Sequence, residues 1–129
     1  GVDLILTDGS PGIGCPVIAS LSGVDVALVI TEPTPSGRHD LERVLRLASH
    51  FRVPTAVSVN KWDINPDLTR DIEHLAADLG ASTLTRLPFD ETVAEATAEA
   101  APVVEWNQGL AANAIRGLWN DVAAWGSLQ

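Results

Sequence analysis

This chain is short of basic side chains. Its 129 residues carry 8 Lys and Arg against 17 Asp and Glu, for a net charge of −9. Nucleic-acid binding needs a basic face, so this balance argues against nucleic acid as a partner. The only lysine is Lys61, which follows Val59 and Asn60. A phosphate-cradling loop of the G-x-x-x-x-G-K-[ST] type needs a lysine after a glycine-rich run, and none is present. There is one cysteine, Cys15, which excludes an internal disulfide and any metal cluster held by this chain alone. That usage is compatible with a reducing cytoplasm, the expected location. The apolar runs fall short of the roughly 20 residues that span a bilayer, so no transmembrane segment is expected. Gly1, Val2 and Asp3 supply no positively charged start for a signal peptide. With no methionine and a glycine at position 1, the sequence reads as a piece of a longer protein.

Short oily runs alternate with helical stretches. Leu4 to Leu6, Val24 to Ile30 (VDVALVI), Thr55 to Val59 (TAVSV) and Thr83 to Leu87 (TLTRL) are the candidate strands. The last alternates, which suits a position nearer an edge. Continuous apolar runs suit strands covered on both faces, as in a parallel sheet. Leu41, Val44, Leu45 and Ala48 mark one face of a helix from about Gly37 to Phe51. Asn65 and Pro66 read as N-cap and first helical position of the next helix, with Gly80 its stop. Asn107 is placed to cap a final helix carrying Leu110, Ala114, Ile115, Leu118, Val122 and Trp125 inward. Residues 91–101 (ETVAEATAEAA) read as a short acidic helix ended by Pro102. The expectation is one α/β domain: a mostly parallel sheet of about four strands flanked by helices in three layers.

Ligands in such sheets gather at the carboxyl ends of the strands. Asp8 ends the first. A carboxylate there can hold magnesium that bridges phosphate oxygens, while Gly9, Gly12 and Gly14 let backbone amides approach phosphate. An ordinary Asp-Gly turn is the competing reading. In TEPTPSGRHDLER, Ser36 or Gly37 can start a helix and Asp40 suits its first turn. Glu42 and Arg46 are spaced for an exposed ion pair, and His39, His50 and His74 read as surface residues. The third strand ends in VNKWD. In a purine site Asn60 can bond a base edge, Lys61 can lay its stem along the ring, and Asp63 can accept from base N–H groups; helix capping competes for Asp63 and Asn65. Pro88 and Phe89 are placed to wall a base, and Asp90 to cap the acidic helix. Trp106, Trp119 and Trp125 read as packing residues.

DLILTDGSPGIGCPV, ALVITEPTPSGRHDLERV, VNKWD and RLPFDETVAEA together resemble the MinD/ParA/Mrp group of P-loop ATPases, in the correct order over nearly all of the chain. The best match is the MinD-superfamily subgroup with an inserted ferredoxin domain. The resemblance implies that this chain is the C-terminal part of such an ATPase, with the P-loop and the insert preceding it. It implies that Asp8 is the Walker B acid and magnesium ligand and that Pro11 and Gly12 belong to the second switch. It sets Asp40 near the dimer interface and nucleotide, Asn60 on the adenine, and Pro88 in the loop bordering the base. ATP and Mg2+ are the implied cofactors, with a [4Fe–4S] cluster in the missing insert. The missing N-terminal half and a second copy in an ATP-driven homodimer are the implied partners. The parent is then an ATP hydrolase linked to iron–sulfur or redox chemistry, and this chain alone is inactive. Two departures stand out: the fourth loop lacks the Ser-Ala of GTPases that share N-K-x-D, and Pro11 breaks the GTPase D-x-x-G spacing. ATP is therefore favoured over GTP. A noncatalytic α/β interaction module is one alternative. Another is an iron–sulfur carrier that bridges two chains through Cys15, a residue that otherwise reads as a small buried hydrophobe.

Overall fold

The computed structural model describes residues 24–90 and 110–129. The expected strand at Leu4 to Leu6, Asp8, Pro11, Gly12, Cys15, the acidic helix, Trp106 and the Asn107 cap lie outside the described residues.

Strand β1 (Ala27–Thr31), helix α1 (Pro35–His50), strand β2 (Thr55–Val59), helix α2 (Pro66–Asp78), strand β3 (Ser82–Thr83) and helix α3 (Leu110–Gly126) follow in that order. The sheet is parallel in the order β1-β2-β3, so the chain has the α/β architecture expected of it. Both crossovers run in the same direction across the sheet, and connections of one hand then put α1 and α2 on one face.

β2 is the central strand and every residue of TAVSV is buried, as its β-branched and small side chains suit. Register pairs Ala27 with Thr55 and Thr31 with Val59. β1 starts later than the apolar run because its ladder begins where the Ala27 N–H meets the Pro54 carbonyl at 2.9 Å. The core on the α1/α2 face joins Leu41 and Leu45 to Val57, Val59, Ile72 and Ala76, with Val29 and Trp62 packed against it.

The other face of the sheet is uneven. Leu28 pairs with Ala56 and Ile30 with Ser58. Ala56 and Ser58 are fully buried, yet Leu28 and Ile30 are 39% and 48% exposed. Among the described residues the outer edge of β1 pairs with no strand.

β3 is shorter than the expected Thr83 to Leu87 and stands at the edge. The ladder breaks at Leu84 and resumes as a single bridge between Asn60 and Leu87. In between, Thr85 donates its N–H and its hydroxyl to Asp121 of α3, and its carbonyl accepts from the buried Ser58 hydroxyl at 2.5 Å.

Helix α1 starts two residues before Gly37. Thr34 is its N-cap, accepting from the Gly37 N–H at 2.9 Å, and Pro35 takes the first position. Asp40 therefore stands in the second turn rather than the first. α2 begins as expected, with the Asn65 side chain accepting from the Leu68 N–H at 3.1 Å. Both helices end in the same two-bond motif. Arg52 and Val53 donate to Ser49 and Ala48, each at 3.0 Å; Gly80 and Ala81 donate to Ala77 and Ala76 at 3.0 and 2.9 Å. The left-handed residue of that motif is Gly80 in one case and Arg52 in the other. Trp119, expected to pack, is 51% exposed on α3, whereas Ala112 and Leu118 are buried.

Candidate functional site

Three loops meet at the carboxyl ends of the strands: Glu32 to Thr34 after β1, Asn60 to Asn65 after β2, and Leu87 to Phe89 beyond β3. The first is tight. The Thr34 N–H bonds the Glu32 carbonyl at 2.8 Å, and the Thr31 hydroxyl donates to the Gly37 carbonyl at 3.3 Å. A Cβ on Gly37 would run into the Glu32 carbonyl oxygen, so only glycine fits here without a shift.

The second loop leaves β2 through Asn60, whose N–H donates to the Thr31 carbonyl at 2.7 Å. Lys61 then takes the left-handed conformation, with φ of 55°, uncommon for a residue with a side chain. Trp62–Ile64 forms one turn of 3-10 helix. Thr69, fully buried on α2, holds that turn by donating its hydroxyl to the Trp62 carbonyl at 3.0 Å.

Each side chain of N-K-x-D has a distinct fate. The Lys61 ammonium pairs across to Glu32 at 3.4 Å, tying the second loop to the first. Asp63 accepts from the Phe89 N–H at 2.9 Å, tying it to the third. The Trp62 N–H reaches the Leu87 carbonyl at 3.3 Å in the same direction. Asn60, half-buried, makes no side-chain hydrogen bond among the described residues. Asn60, Asp63 and Pro88 thus come together, with the exposed rings and chains of Phe89 and Ile64 beside them.

Asp40 is not brought into this group by any contact; it is exposed on α1 and its side chain makes no hydrogen bond or ion pair among the described residues. Among the described residues no three His, Cys, Asp or Glu side chains converge to hold a metal ion, and no helix is long and apolar enough to cross a membrane.

Sequence reasoning missed Arg86. Its guanidinium makes two bonds to Glu73 of α2, at 3.0 and 2.5 Å, and lies 5.0 Å from the centre of a Trp62 ring. The Glu73 hydrogen bond holds the Arg86 pKa above its ordinary value. The signal available was a lone arginine interrupting an apolar run; nothing in the sequence says what it meets.

A depression of about 350 Å3 lies at the opposite end of the sheet, lined by Ser49, Arg52 and Pro54 from one turn and by Leu79, Gly80 and Ala81 from the other. Both helices point their negative ends at it, which is unfavourable for an anion.

No protein-family model matches the chain. Two uncharacterized proteins of Methanocaldococcus jannaschii are similar to it. MJ0578 is 40% identical over 63 residues, covering 49% of this chain and 23% of the relative. MJ0579 is 22% identical over 123 residues, covering 95% of this chain and 39% of the relative. The chain therefore spans less than half the length of either relative.

Proposed function

We infer that these residues form the metal-and-base half of a nucleotide-binding ATPase domain of the MinD/ParA kind. Its phosphate-gripping loop would come from elsewhere in the protein. The observation that carries this reading is Asn60: a half-buried amide without a hydrogen bond among the described residues, at the carboxyl end of the central strand. The loops on both sides of it are fixed by contacts to one another. A half-buried amide at a strand end is open to a ligand, and a purine edge supplies both a donor and an acceptor for it. The edge of β1, unpaired among the described residues, with Leu28 and Ile30 exposed beside buried Ala56 and Ser58, supports a sheet with a further strand, as expected of Leu4 to Leu6.

Adenine is favoured over guanine because the fourth loop lacks the Ser-Ala of the N-K-x-D GTPases and Pro11 breaks their D-x-x-G spacing. Asp63 has one carboxylate oxygen on the Phe89 N–H. Lys61 is drawn toward Glu32 rather than left to lie along a ring. Asp8 would hold magnesium, which would supply positive charge to offset the phosphates, and Pro11 and Gly12 would form the phosphate-sensing switch. The parent would hydrolyse ATP as a cytoplasmic homodimer and couple it to redox chemistry through a [4Fe–4S] insert.

The test is titration of Mg2+-ATP into this chain alone and into the complete protein. Weak binding and no turnover are expected for the chain alone, with both restored in the complete protein. Tight binding and hydrolysis by the 129 residues alone overturn the reading. The β1 edge, unpaired among the described residues, also fits a second reading, a noncatalytic module whose sheet is completed by a partner or by a second copy. A stable homo-oligomer indifferent to ATP and to the rest of the protein would select it.

A further inference from the structure

The segment from Leu84 to Phe89 has little regular structure, yet it is tied to β2, α2, α3 and the loop after β2. The Leu84 N–H bonds the Val57 carbonyl and the Leu87 N–H the Val59 carbonyl, both at 2.9 Å. Between these anchors Thr85 turns to Asp121 of α3, and Arg86 turns the other way to Glu73 of α2 and to the ring of Trp62. Past them, Leu87 receives the Trp62 N–H and Phe89 gives its own N–H to Asp63. Residues 59–63 and 86–89 are therefore stitched together at four points, and the Arg86 side chain touches both Trp62 and α2.

We propose that Arg86 is a positioning residue for the Asn60 amide, acting through Trp62 and Glu73. This rests on the reading of Asn60 as the base contact. The geometry has three parts. Glu73 fixes the guanidinium with two parallel bonds, so its plane is set by α2, a rigid element. The guanidinium lies against Trp62, holding the indole between the positive charge and the core. Trp62 is two residues from Asn60 across the left-handed Lys61. A backbone in that conformation persists only where its surroundings over-determine it, and the Arg86 contact supplies one of the constraints. Without it the 60–63 loop keeps its tie to Glu32 and to Phe89 but loses the wall behind its central ring, and the direction of the Asn60 amide loosens.

A role in placing the base contact is separable from a role in stability, because only the first discriminates between ligands with and without a base. The experiment uses the complete protein and measures Kd for Mg2+-ATP and for inorganic triphosphate with Mg2+, alongside thermal melting. Wild type is expected to bind ATP more tightly than triphosphate. Arg86→Ala should weaken ATP about tenfold while leaving triphosphate within twofold, and Glu73→Gln, which keeps the shape and removes the charge, should weaken ATP about threefold. Arg86→Lys, which keeps the charge without the planar fork, should recover part of the loss. Equal weakening of both ligands, or an ATP affinity unchanged in folded Arg86→Ala and Glu73→Gln proteins, overturns the positioning role while the base reading stands. Parity of ATP and triphosphate in the wild type removes the base contact itself, and both ideas fall.

Discussion

At the amino end of the sheet, α1 and α2 finish in the same way. In each, two backbone N–H groups fold back onto the last turn, one residue takes a left-handed conformation, and the next strand begins within a few residues. At the carboxyl end no two loops are alike. One closes on Thr31, Thr34 and Gly37, the next runs through Lys61 into a 3-10 turn, and the third is irregular from Leu84 onward. The amino end is held by backbone bonds within each turn. The carboxyl end is held by side chains reaching out of their own loops: Lys61 to Glu32 and Asp63 to Phe89 join loop to loop, and Arg86 joins the third loop to Glu73 of α2. A turn that only reverses the chain needs local bonds alone. Loops that must hold a fixed relation to one another need bonds between them, and a ligand that touches several strand ends requires that fixed relation. The depression at the amino end has volume but lacks it, which is why the site is assigned to the other end.

The sharpest way to break this contrast is at Gly37. An Ala there would press its Cβ on the Glu32 carbonyl and crowd the hydroxyls of Thr34 and Thr31. Overpacking against backbone costs about 1–3 kcal/mol, and the loop that carries Glu32 must move. Urea unfolding of Gly37→Ala should show a loss of about 2 kcal/mol. The matched control is Gly117→Ala on α3, where the nearest atom to a new Cβ is 3.8 Å away on Thr85; it should be neutral or should stabilise by up to ~1 kcal/mol. Equal effects at the two positions would mean the β1 loop is not under the constraint described.

How much of this was legible in the sequence follows the same division. TAVSV matched β2 to the residue because every position suits burial on both faces. Asn65-Pro66 and Gly80 matched their cap and stop because each is a single residue's own backbone preference. The start of α1 was misread by two residues, although Thr34-Pro35 repeats the logic of Asn65-Pro66; Ser36 and Gly37 offered competing starts a residue or two further on. Thr83 to Leu87 was read as a strand, and the structure keeps only its first part, because Thr85 and Arg86 have partners on α3 and α2 that lie 36 and 13 residues away. The candidate site divides likewise. Asn60, Asp63 and Pro88 were read as strand-end residues from the alternation of strands and helices, and the strand order then sets the two loops side by side. That Asp63 serves Phe89, and Lys61 serves Glu32, depends on the separation of loops in space, which no local pattern encodes.

A smaller test exchanges the two left-handed residues at the amino end. Gly80 has φ of 85°, and the equivalent Arg52 has φ of 57°. A side chain in this region costs about 1–2 kcal/mol, partly offset by the greater freedom glycine loses on folding, about 0.5–1 kcal/mol. Gly80→Ala should therefore destabilise by about 1 kcal/mol, and Arg52→Gly should stabilise by a few tenths to ~1 kcal/mol, read from the same unfolding curves. If the two turns are local backbone solutions, these changes leave ATP affinity in the complete protein untouched. A change in affinity from either would join the two ends of the sheet and dissolve the distinction between them.

The smallest effect expected lies between the two ends, on the solvent face of α1. Glu42 accepts from the Arg46 guanidinium at 2.9 Å. That hydrogen bond is the main cause holding its carboxyl below the ordinary 4.5, with a weaker opposing push from desolvation. A depressed folded-state pKa contributes stability that is present above the unfolded value and disappears as pH falls through the folded one. Any contribution from this pair should therefore be complete at neutral pH and fade only below about 4.5. Exposed pairs one helical turn apart contribute little and are screened by salt. Titration of the Glu42 carboxyl by NMR should give a value below 4.5 that returns toward it in Arg46→Gln, with melting temperature at pH 7 unchanged. Lys61–Glu32 is also exposed, but it joins two loops rather than two turns of one helix. Lys61→Gln should likewise leave the melting temperature nearly unchanged, yet it should weaken ATP binding by the complete protein, because what that pair fixes is the relation between loops. If Arg46→Gln and Lys61→Gln prove alike in both measurements, the inter-loop contacts at the carboxyl end carry no more meaning than a surface ion pair.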